Sequence, residues 1–209
     1  MKEEAIKDFE ARLDNEYLEL FKKNELFKEG NILDWENLSG TDQITVLSYD
    51  GIKVTFKNNA SGKVETFTLN NLFIYNKAHL ESLLKTEVYD SEKHTLEDYL
   101  HIDYDCIYII HDKNCDESTG YYVGQAKHGS WRIKDHFHNS SVGKIDKLIH
   151  EGMRYSLRFI PLEGSGYSSL NALETAFIAY YNSFHTGYNK TRGNNGPGNS
   201  RITMKLLKG

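Results

Sequence analysis

Six side chains in the second half of the chain have types and spacings suited to handling a phosphate. Tyr108 and Tyr122 lie in two short apolar runs, CIYII and YYVGQA. Arg132 and His136 follow in WRIKDHF, four residues apart and so on one face of any helix formed there. Glu174 lies in SSLNALETAFIAYYNSF, and Asn189 in the glycine- and asparagine-rich stretch after it. Phosphodiester hydrolysis needs a nucleophilic water, a base to deprotonate it, and cations facing the charge that develops on phosphorus. Enzymes commonly meet these needs with a carboxylate-held Mg²⁺, an arginine, and a histidine or tyrosine. One candidate for each role is present. Each also has a structural reading. Strand tyrosines pack with a polar tip, Arg132 could be a solvated helix residue, and His136 could be a surface or satisfied histidine. Asn171-x-x-Glu174 matches a capping box, and asparagine is a common turn residue. Other chemistries lack their motifs: there is no GxSxG, Walker loop or HExxH. The fragment GNNGPG (193–198) lacks the Lys and Ser/Thr that a phosphate loop requires.

The elements that must position these residues can be read from periodicity. Ile6, Phe9, Leu13, Tyr17, Leu20 and Phe21 recur at three and four, which predicts one helix over 3–28, stopped at Gly30. ITVLSY (44–49) and IKVTF (52–56) flank Asp50-Gly51, a hairpin signal, and NNASGK leads to a further strand, VETFTL (64–69). NLFIYN (71–76) is a candidate fourth strand of this meander, and 78–100 reads as a polar, partly helical connection. In the second half, 105–110 and 120–126 form a hairpin, 131–139 and 144–152 are helices, and 154–162 alternates as a half-buried strand. Residues 168–184 form the strongest helix, with Leu170, Leu173, Phe177 and Tyr181 on one face. The expected fold class is α+β. A small three-stranded antiparallel sheet flanked by helices (101–209) follows an N-terminal helix and β-meander (1–100).

The 209 residues carry a net charge of −5, unevenly distributed. Residues 1–100 hold 12 Lys+Arg against 20 Asp+Glu; residues 101–209 hold 13 against 10, with seven histidines in addition. Local basic stretches at 127–158 and 187–209 are the usual footprint of a polyanionic partner, although solvated charge is the plain alternative. Cys106 and Cys115 do not make a disulfide framework. With His111 they suggest a zinc module, for which a fourth ligand is missing. No run approaches about 18 apolar residues, so no membrane span is expected. The acidic N-terminus lacks the apolar core of a signal peptide, so the expected location is cytoplasmic.

CIY (106–108) and YVG (122–124) resemble the paired tripeptides of the GIY-YIG nucleases. Arg132 lies ten residues after Tyr122, His136 one helical turn later, and Glu174 on a later helix followed by a GYN motif that contains Asn189. The resemblance covers roughly residues 104–200 and departs from the family pattern in Cys106, which replaces the first glycine, and in Val123. It implies a DNA endonuclease with one divalent ion, Mg²⁺ or Mn²⁺, held chiefly by Glu174. Tyr108 would be the base or water-positioning group and Tyr122 its support. Arg132 and His136 would neutralise the scissile phosphate, and Asn189 would brace the site. Restriction, phage or mobile-element settings fit such an enzyme. The alternative is a non-catalytic nucleic-acid-binding or assembly protein that keeps the fold. Residues 1–100 resemble no named family; target recognition or dimerisation is the expected role. A homodimer is one way to cut both strands.

Overall fold

Asp14 starts a new helix where apolar periodicity alone would continue the first. Its backbone is extended (φ −68°, ψ 167°), and its carboxylate accepts the Tyr17 N–H at 3.0 Å, which caps a new helix. The computed structural model describes residues 2–37, 40–138, 144–191, 193 and 201–203. In it the single helix expected over 3–28 is two: α1 (Lys2–Glu10) and α2 (Asn15–Lys22). The described residues of Met1–His79, Gly166–Ala172 and Gly196–Gly209 form one compact unit, and those of Leu80–Ser165 and Leu173–Asn195 form another. The expected boundary at residue 100 falls within the second of these.

The first unit is built on a six-stranded mixed sheet rather than a meander. Its strands are β1 (Ile32–Asn37), β2 (Gly40–Tyr49), β3 (Lys53–Asn58), β4 (Val64–Thr68), β5 (Ile74–Tyr75) and β10 (Arg201–Thr203), in the order β4-β3-β2-β1-β10-β5. The ILDWEN run of β1 is a strand that periodicity did not mark. β10 lies between β1 and β5 and runs parallel to β5. The turn joining β2 to β3 centres on Gly51-Ile52 rather than Asp50-Gly51. The Asp50 N–H bonds the Lys53 carbonyl, the Asp50 side chain accepts the N–H groups of Ile52 and Lys53, and Gly51 supplies φ +94°. Phe9, Tyr17, Phe21, Phe27, Val54 and Phe56 belong to its buried core. Arg12 is also buried, and its guanidinium donates to the Leu69 and Leu72 carbonyls at 2.8 Å each. Burial lowers its pKa to about 10.

The second unit overturns the expected three-stranded sheet. Among the described residues four strands are present, β6 (Val88–Asp90), β7 (Cys106–Asp112), β8 (Tyr121–Ala126) and β9 (Tyr155–Pro161), all antiparallel and ordered β6-β9-β7-β8. The extra strand, β6, comes from the region read as a connection. Three residues, of which only Tyr89 is buried, are too short to show a two-residue period. α3 (Lys77–Leu83) precedes β6; α4 (Gly129–His138) and α5 (Lys144–His150) separate β8 from β9; α6 (Leu170–Tyr180) follows β9. No helix among the described residues is long and apolar enough to cross a membrane.

Candidate functional site

β7 is the inner strand between β8 and β9, and all seven of its residues are buried. Side chains alternate along it. Cys106, Tyr108 and Ile110 join the core formed with Ile133 of α4 and Ile145 and Ile149 of α5. We call this the front face; Ile107, Ile109 and His111 face the back.

Tyr108 is the hub of the front face. Its hydroxyl lies 2.7 Å from Nε2 of His136 and also hydrogen-bonds with Arg132 and Tyr122. Tyr122 is diagonal to it across the register, with ring centroids 6.1 Å apart, and the rings of Tyr122 and His136 meet edge to face at 5.7 Å. The residue directly opposite Tyr108 is Gly124, and a Cβ there would sit 2.3 Å from the Tyr108 hydroxyl and from its Cζ. The glycine of YVG is therefore required by the tyrosine ring that crosses it. Gly129 performs a similar service at the start of α4, where a Cβ would meet Ile102 at 2.6 Å and the Cys106 sulfur at 2.8 Å. That close approach sets α4 so that Arg132 and His136 reach Tyr108. Burial holds the Tyr108 pKa well above its ordinary value, with Tyr122 raising it further and Arg132 opposing. His136 is also buried, Tyr122 is half-buried, and Arg132 is exposed.

Glu174 stands apart from this group. It accepts from the Gln125 amide at 3.1 Å. Gln125 alternates to the back face of β8, so Glu174 approaches this edge strand from the side opposite Tyr108. The capping-box reading of Glu174 fails: the helix begins at Leu170, and the Ser169 hydroxyl accepts the Ala172 N–H at 3.2 Å. Burial raises the Glu174 pKa to about 7. Gln125 is the partner that the sequence reading missed. Its signal was a polar residue that follows Tyr121 and Val123 on one face of the strand.

Asn189 acts as a clamp on β8. Its side-chain oxygen accepts the Val123 N–H at 2.9 Å, and its amide donates to the Val123 carbonyl at 2.7 Å. The Ser183 hydroxyl fixes the same oxygen at 2.8 Å. The chain arrives there because Asn182 (φ +49°) ends α6, with Ser183 N–H bonding the Ile178 carbonyl and Asn182 N–H bonding that of Ala179. Gly187 then passes so near β8 that a Cβ would lie 2.1 Å from the Tyr121 carbonyl. The segment thus covers part of an edge that would otherwise present open backbone groups.

The zinc reading is not supported by the strand geometry. Cys106 faces the front and His111 the back, and no group of three or more His, Cys, Asp or Glu suited to a metal occurs among the described residues. No family model, curated protein or solved structure matches the chain, so any functional reading rests on its own side chains.

Proposed function

We propose that the chain is a divalent-metal-dependent phosphodiester hydrolase acting on DNA, of the GIY-YIG type. The observation that carries this reading is the convergence of Tyr122, Arg132 and His136 on the Tyr108 hydroxyl. The strand count differs from the form that the resemblance implied, so it lends no support. A phosphate lying along the β8 edge would meet Arg132 and Tyr122 from the front and Glu174 from the back. Arg132 would neutralise charge on the phosphate, and Tyr122 would hydrogen-bond to it. Tyr108, kept protonated by burial, is better suited to positioning His136 through Nε2 than to acting as a base. His136 is then the group that moves a proton.

A lone carboxylate fits Mg²⁺ or Mn²⁺, which is often held by one or two carboxylates with the substrate phosphate and water. Glu174 would be that ligand and must lose its proton to serve. When bound, the cation supplies positive charge at the phosphate and acidifies water.

The test is conversion of supercoiled plasmid by the purified chain with Mg²⁺ or Mn²⁺, alongside EDTA, Glu174→Ala and Arg132→Ala. Cutting that EDTA and both substitutions abolish is the expected result. Binding of DNA without cutting, by folded wild type with metal present, would replace the proposal with a non-catalytic binding role.

A further inference from the structure

The back face of the four-stranded sheet contains a cavity of about 380 Å³ that the proposed hydrolysis does not use. That volume lies within the range of small-molecule sites. Its floor is set by cross-strand register: Ile109 stands opposite Arg158, and His111 opposite Ser156. Tyr121 and Tyr181 close one side. Tyr121 stacks on Tyr181 with centroids 4.0 Å apart and on His111 at 4.3 Å. Val88, an exposed aliphatic residue of β6, lies at the other side.

Arg158 defines the chemistry. Its Nη1 donates to the carbonyls of Leu84 and Thr86, the latter at 2.7 Å, which holds the guanidinium in place. Nε and Nη2 make no hydrogen bond among the described residues, and no carboxylate there forms an ion pair with it. The neighbouring cation is engaged elsewhere: Lys113 pairs with Asp90 at 2.9 Å and with Glu92 at 2.5 Å. Glu117, also in the lining, is exposed. A half-buried guanidinium without a counter-ion favours an anion that can accept two parallel hydrogen bonds. The Ser156 hydroxyl, two residues along the same face, adds a donor.

We propose that this pocket binds a small organic oxyacid, with its carboxylate or phosphate on Arg158 and Ser156 and an apolar or aromatic body against Ile109, Val88 and Tyr181. The site is independent of the nuclease reading, because its lining includes none of Tyr108, Tyr122, Arg132, His136 and Glu174.

Isothermal titration of the whole chain with benzoate and with thymidine monophosphate tests it, using benzyl alcohol and thymidine as partners that lack the anion. The expected result is binding of at least one acid with Kd below about 1 mM, and binding of its uncharged partner roughly tenfold weaker or more. Which acid binds distinguishes a carboxylate site from a phosphate site. Arg158→Gln should abolish binding. Because Arg158 also holds two carbonyls, Ser156→Leu, which fills the cavity, is the second variant and should abolish it too. Tyr108→Phe should leave it unchanged. Failure of both acids to bind, binding that does not need the anion, or binding that survives Ser156→Leu would overturn the proposal.

Discussion

The two faces of the second unit's sheet are built from alternate residues of the same strands, yet they solve opposite problems. On the front, Tyr108 is packed so closely that its opposite number must be glycine, and its hydroxyl is shared among three partners. On the back, Ile109, His111, Ser156 and Arg158 leave a cavity and a guanidinium with donors to spare. The difference shows how one sheet can hold a tightly preorganised group and an open pocket a single residue apart. Substitutions at adjacent positions should therefore separate the two.

The largest effect is expected from Gly124→Ala. The added carbon meets the buried Tyr108 ring, which has no room to move aside, so unfolding in urea should show a loss of about 3 kcal/mol. DNA cutting should disappear, whereas oxyacid binding at the back should persist in the fraction that folds. An effect on binding as large as that on cutting would mean that the faces are not separable.

Glu174 gives a pH signature of similar size. Its folded pKa of about 7 lies above the ordinary 4.5, so the folded state holds the proton more tightly than the unfolded state. The resulting stability is fully present below about pH 4.5 and is lost as pH rises through about 7. Between these limits the metal-free protein should lose up to roughly 3 kcal/mol. Melting temperatures across that window should fall for wild type and stay flatter for Glu174→Gln.

Asn189→Ala removes the clamp on Val123 and leaves the N–H and carbonyl of that residue without their partner. About 2 kcal/mol of stability should be lost. Because β8 supplies both faces, cutting and oxyacid binding should weaken together, and faster amide exchange at Val123 would report the loosened strand. The smallest effects come from the neighbours Tyr121 and Tyr122. Tyr122→Phe should slow cutting about tenfold with no change in oxyacid affinity. Tyr121→Phe loses the bond to the Glu117 carbonyl, at a cost of about 1 kcal/mol, with cutting unchanged.

Much of this arrangement is legible in residue order. The apolar runs CIYII and YYVGQA, the four-residue step from Arg132 to His136, and the long apolar helix around Glu174 are all visible in residue order. The break at Asp14 is also encoded, as an N-cap residue, but an uninterrupted run of apolar spacings conceals it. β6 and β10 are not legible. Three residues carry too little pattern, and their pairing depends on strands roughly seventy or more positions away.

By itself, then, the sequence determined which residues share a face, because side-chain direction follows from the local backbone period. Tertiary structure alone decided the partners: His136 on Tyr108, Gln125 rather than the helix N-terminus on Glu174, Asn189 on Val123, and Arg158 beside a cavity. Those pairings depend on strand register and helix placement across distant segments, which the spacing within any one segment does not specify.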